Sequence, residues 1–155
     1  MRDVKISGYF KTGPLEGAYI VAHLLAKKFG IDDDLEFIVD TGASKTIISD
    51  RDALWLGIDY GKLRKAKPSL GIGGTVQTFA IDGAELIFMK DGGGSIAIGL
   101  ESVFVMKHRK ADEGIMRIPS ILGRDFLNRY SLVYSHKTGT VKITDGKNHD
   151  LTGLA

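Results

Sequence analysis

Short apolar runs alternate with glycine-rich or polar breaks along the whole chain. Residues 4–10 read as a strand closed by the turn Lys11-Thr12-Gly13-Pro14. Residues 18–27 satisfy helix propensity, yet Tyr19, Ile20 and Val21 favour a strand, so the pattern leaves both open. Ile31-Asp32-Asp33-Asp34 reads as a loop leading into a strand over residues 35–39. Ser49 is a helix N-cap, with Asp50 and Asp52 in the first turn and Gly57 as the stop. Trp55, inside that helix, is expected in the core. Residues 75–89 are extended, with a break at Asp82-Gly83, and Asp91-Gly92-Gly93-Gly94 marks a hairpin or flexible loop. Residues 95–98 and 102–106 read as strands, 107–117 as a polar surface loop, and 125–129 as a short helix. Residues 131–134 and 140–144 pair around a turn at 136–139.

Composition narrows the class. The 20 glycines fall between short runs, which is the texture of an all-β chain with many turns. With 155 residues there is room for one domain with a real core, and no linker, repeat or low-complexity segment divides it. The absence of cysteine excludes disulfides, thiol catalysis and thiolate metal sites, and is consistent with an intracellular home. Met1-Arg2-Asp3-Val4-Lys5 lacks the apolar core of a signal peptide, and Met1 favours an independent gene product. The apolar run at 18–26 is broken by His23 and too short to cross a bilayer. A cytoplasmic location with no membrane partner is therefore expected. Net charge is only +2, so the basic clusters at Lys62, Arg64, Lys65 and Lys67 and at Lys107, His108, Arg109 and Lys110 read as solvated loops. No nucleic-acid partner is expected.

The chemistry concentrates at Asp40-Thr41-Gly42-Ala43-Ser44. Phe37-Ile38-Val39 delivers a carboxylate to the end of an apolar run, and Gly42 lets the backbone turn sharply after it. A carboxylate there is expensive to bury without partners, which suggests a task. Taken alone, the triplet is also an ordinary β-turn. Other candidates are weaker. Asp32-Asp33-Asp34 with Glu36 lacks the glycine and terminal Glu of a calcium loop. His136-Lys137-Thr138-Gly139 has His where a phosphorylated loop needs Asp, and reads as a hairpin turn. His23, His108, His136 and His149 show no ligand spacing, so no metal and no cofactor is expected.

Read together with Ile121-Leu122-Gly123-Arg124-Asp125-Phe126-Leu127, and with Gly71-Ile72-Gly73-Gly74 between the two, the triplet resembles the retroviral-type aspartic proteases, or retropepsins. The resemblance spans about residues 35–134 and implies one domain over residues 1–155, an all-β closed acid-protease barrel with one or two short helices, and a strand at 18–27. It also implies an aspartic endopeptidase acting on extended polypeptides. Hydrolysis of this kind needs two carboxylates sharing a proton, and the chain holds one Asp-Thr-Gly. A working pair then requires Asp40 from each protomer of a homodimer. In that frame Asp40, Thr41 and Gly42 are the catalytic group. Ala43, Ser44, Gly71, Ile72, Gly73 and Gly74 contact substrate, the last four as a glycine-rich flap. Gly123, Arg124 and Asp125 support the loop. Ser44 stands where viral members carry an Asp that pairs with the Arg, so Arg124 needs another partner, with Asp125 or another carboxylate as candidates. The alternative reading is a non-catalytic binding or dimerisation module of the same fold.

Overall fold

The computed structural model describes residues 4–13, 15–71 and 74–146. Residues 4–10 form two strands rather than one. Lys5–Ser7 (β1) joins a small sheet, whereas Tyr9–Lys11 (β2) joins a large one. Gly8 makes the switch. A β-carbon there would press into the Tyr19 carbonyl and stand 2.6 Å from Ile20 Cγ1, so only glycine lets the chain pass.

Gly17–Ala26 (β3) is a strand, buried at Ala18, Tyr19, Ile20, Ala22, Leu24 and Ala26. It pairs antiparallel with Ile31–Val39 (β4), from Tyr19 opposite Ile38 to Ala26 opposite Ile31. Asp32, Asp33 and Asp34 thus belong to the strand and not to a loop. Pairing with β3 satisfies their backbone, while their side chains stay in water and His23 bridges Asp32 and Asp34.

Ile47–Ile48 (β5) leads into helix Asp50–Leu56 (α1). There the Ser49 hydroxyl accepts from the Asp52 N–H at 3.3 Å, and Gly57 ends the helix at φ 65°. Trp55 is not core: it is 69% exposed and Leu54 73%. Ala53 faces inward, and successive residues step about 100° around a helix, which turns 54 and 55 to solvent.

Arg64–Gly71 (β6) and Gly74–Asp82 (β7) form a long hairpin whose last described pair is Gly71 with Gly74. Arg64, Lys65 and Lys67 therefore sit on a strand and not in a loop, and Arg64 grips Asp82 through two hydrogen bonds of 2.9 Å. Glu85–Met89 (β8) and Ser95–Gly99 (β9) pair around the glycine turn, and Ser102–Lys107 (β10) returns beside β7. The segment after β10 is mostly exposed, with a short 3-10 turn at Ile115–Arg117. It is anchored where the His108 N–H and ring Nδ1 meet the Asp50 carboxylate at 2.8 and 2.6 Å. Ser120–Leu122 (β11) precedes the short helix Arg124–Leu127 (α2). Ser131–Ser135 (β12) and Thr140–Thr144 (β13) form the last hairpin among the described residues.

The large sheet runs β6-β7-β10-β5-β11-β4-β3-β8-β9, with β2 also on β3, and the small one runs β1-β13-β12. The expected closed barrel does not form. β6 and β9 end the large sheet without meeting among the described residues, and the Gly8 switch commits β1 to a separate sheet with β13. Ile6 and Ile143 from that sheet join Phe37, Leu86, Phe88, Leu122 and Phe126 in one core. The architecture is mostly β with two short helices. No helix among the described residues is long and apolar enough to cross a membrane.

Candidate active site

β11 lies between β4 and β5. It runs parallel to β4, with Ile121 opposite Ile38 and Leu122 opposite Val39, and antiparallel to β5 at Ile47. The loop at 40–46 therefore leaves on one side of β11 and returns on the other, crossing over the segment that follows Leu122. At the crossing, a β-carbon on Gly123 would stand 2.5 Å from the Lys45 carbonyl carbon and 2.9 Å from its amide nitrogen. Glycine is required there for space.

Main-chain hydrogen bonds pin the loop to that segment. The Asp40 N–H donates to Leu122 O at 3.1 Å, the Arg124 N–H to Ala43 O at 2.8 Å, and the Asp125 N–H to Ser44 O at 3.2 Å. The Asp125 carboxylate accepts from the Thr46 N–H at 3.0 Å and from its hydroxyl at 2.7 Å. The Gly123 N–H donates back to Thr46 Oγ1 at 3.2 Å, so the fully buried Thr46 is satisfied. A second clamp lies beneath: the Ser120 hydroxyl donates to Asp52 at 2.6 Å and accepts from the Ser49 N–H at 3.0 Å.

Asp40 is half-buried, and its Oδ1 accepts from the Gly42 N–H at 2.9 Å. Oδ2 accepts no hydrogen bond from the described residues, leaving it available to a second group. Thr41, Gly42 and Ser44 are exposed and Ala43 is half-buried. Residues 42–45 line one side of a groove of about 470 Å³. Ala66, Lys67 and Thr78 from the β6–β7 hairpin line the other side, with Ile47 and Phe104 between. Gly71 and Gly74 end the hairpin, while Ile72 and Gly73, expected at the flap tip, lie outside the described residues.

Arg124 finds neither Asp125 nor any other carboxylate among the described residues. It donates from Nη1 to the Thr41 carbonyl at 2.9 Å, while Asp125 is occupied by Thr46. With Ser44 uncharged, the guanidinium bonds a main-chain acceptor on the same loop. Sequence reading missed Thr46, Ser120 and Asp52, because their partners lie 68 to 79 residues away. It also missed Lys45 and Lys67, which only the folded hairpin brings to one groove. No cluster of His, Cys, Asp or Glu among the described residues is arranged to hold a metal ion.

A family model described as "gag-polyprotein putative aspartyl protease" matches residues 31–129, well over half of the chain. No curated protein sequence matches. Among solved structures, a retropepsin-like aspartic protease from Rickettsia conorii is similar at a TM-score of 0.59 and 18% identity, covering 92% of both chains. EIAV protease complexed with the inhibitor HBY-793 gives a TM-score of 0.48 and 20% identity, over 76% of this chain and 91% of that one. The family match takes in both the Asp40 loop and the Gly123 crossing that pins it, and on that ground the chain belongs to the retropepsin-like aspartic protease family.

Proposed function

We propose that this chain is an aspartic endopeptidase whose active form is a homodimer, each protomer bringing Asp40 to one shared catalytic pair. The carrying observation is the Asp40 carboxylate itself: Oδ1 is held by the Gly42 N–H and Oδ2 accepts nothing from the described residues, on a loop clamped at Leu122, Gly123 and Arg124. In the reaction one carboxylate, ionised, takes a proton from water as its oxygen attacks the scissile carbonyl carbon. The partner's carboxyl, protonated, gives its proton to the carbonyl oxygen. Collapse of the tetrahedral species then breaks the C–N bond as the amine nitrogen takes up a proton. Two such carboxyl groups share one proton because like charges so close cannot both ionise, as is established for aspartic proteases.

Thr41, exposed beside Asp40, would hydrogen-bond across the twofold axis, and Gly42 would let the two loops approach. An extended polypeptide would lie in the groove between Ala43 and Ser44 and the hairpin ending at Gly71 and Gly74, bound partly through its main chain. The test pairs sedimentation analysis with hydrolysis of denatured casein from acidic to neutral pH. Wild type should be dimeric and show a bell-shaped pH profile, while Asp40→Asn should stay dimeric and lose activity by about three orders of magnitude. A second reading, a non-catalytic dimerisation module, draws on Ser44 and on an Arg124 that binds main chain rather than an acid. It would gain if the dimer forms and no substrate is cleaved at any pH.

A further inference from the structure

We propose that the groove beside Asp40 selects polypeptides carrying a carboxylate side chain, Asp or Glu, and that Lys45 and Lys67 are the residues that select it. The proposal rests on the protease reading for its setting, though its charge argument does not depend on catalysis. Lys45 comes from the Asp40 loop and Lys67 from β6, so two cationic residues from different elements line one groove. Both residues are exposed, and neither has an ion pair or side-chain hydrogen bond among the described residues.

Among cations on neighbouring segments, Arg64 is held by Asp82, Arg124 by Thr41 O and Arg129 by Gly99 O. No acidic residue lines this groove. Asp125 and Glu101 line a neighbouring recess that Lys45 also borders, but Asp125 is engaged by Thr46 and neither carboxylate pairs with Lys45. Within the groove's own lining the two lysines therefore face no acid, and the Asp40 carboxylate lies just outside it at Gly42, in a chain whose net charge is only +2. An apolar floor at Ile47 and Phe104 lowers the local dielectric and strengthens attraction to an entering carboxylate. In a twofold dimer the same pair recurs on the other side of the scissile bond. The best substrate would then carry acids at matching distances on both sides.

The probe is a set of fluorogenic octapeptides, with one Glu stepped through every position and a matched Gln series. At one subsite kcat/KM should favour Glu over Gln by about threefold to tenfold, and the ratio should shrink in high salt. Lys45→Glu and Lys67→Glu should reverse the preference towards a Lys-containing peptide. Lys45→Gln and Lys67→Gln should merely abolish it, which covers a charge reversal that fails to fold. In parallel, fluorescein-labelled versions are titrated by anisotropy onto Asp40→Asn protein, reading binding without chemistry. Preferential binding of Glu peptides that vanishes in the Lys variants supports the inference even if wild type cleaves nothing, in which case only the protease reading falls. Equal handling of Glu and Gln peptides, or no binding of either series, overturns it.

Discussion

Gly123 and Lys45 touch through their backbones: a β-carbon on the glycine would lie 2.5 Å from the Lys45 carbonyl carbon. No flexible side chain is available to yield, since the obstructing atoms are main chain. Gly123→Ala should therefore destabilise the fold by about 1–3 kcal/mol, the usual penalty of overpacking, or more if the crossing must open. Urea denaturation checks the stability. A variant as stable as wild type would mean the two segments are further apart than described.

Thr46 and Asp125 form the second joint of the crossing. Thr46→Val keeps the side chain's shape but removes the hydroxyl that donates to Asp125 and accepts from Gly123, and should cost about 1–3 kcal/mol because the buried Gly123 N–H is left without its acceptor. Asp125→Ala should cost at least as much, since it strands both the Thr46 N–H and the hydroxyl. A double-mutant cycle should give a coupling of about 0.5–3 kcal/mol; simple additivity would deny that the two act as a unit.

Arg124 holds the Thr41 carbonyl from an exposed position. Arg124→Ala should change stability by less than about 1.5 kcal/mol, as expected for one solvent-facing hydrogen bond. Its larger effect should fall on peptide cleavage, because Thr41 adjoins Asp40. Steady-state kinetics beside a thermal melt separates the two. Lost stability with unchanged kcat/KM would contradict this role.

His23 sits between Asp32 and Asp34, and hydrogen bonding first to Asp32 and then to Asp34 raises its pKa above the ordinary 6.5. A raised folded value means that protons bind more tightly to the native state. The stabilisation is fully present below pH 6.5 and is lost as pH rises through the folded value. The urea-midpoint difference between wild type and His23→Ala should therefore be larger at pH 5.5 than at pH 9. Asp82 runs the other way. Arg64 and then Ser102 hold it at about 2, so its contribution exists above its ordinary 3.8 and fades as pH falls through about 2. A His23→Ala difference that grows with pH would show the sign to be wrong.

Local chemistry made some elements legible from sequence. Ser49 caps its own helix and Gly57 ends it, whereas the role of Gly123 in supporting the loop came only through the family resemblance. Long-range pairing decided the rest. Asp32, Asp33 and Asp34 look like a loop until β3 supplies a ladder, and Trp55 looks like core until Ala53 fixes which helix face turns inward. The Gly8 switch depends on a carbonyl eleven residues on, and barrel closure depends on whether β6 and β9 meet. For Arg124, the missing charge at Ser44 was visible, but the substitute acceptor was a backbone atom, which no residue type encodes.

The crossing holds its loop through the carbonyls of Ala43 and Ser44 and the backbone of Lys45, and makes no demand on those three side chains. The placing of the Asp40 acid and the side chains that line the groove thus depend on different atoms. If the proposed activity holds, residues 43–45 can be exchanged at their side chains to suit another substrate while the main-chain bonds that aim Asp40 stay in place.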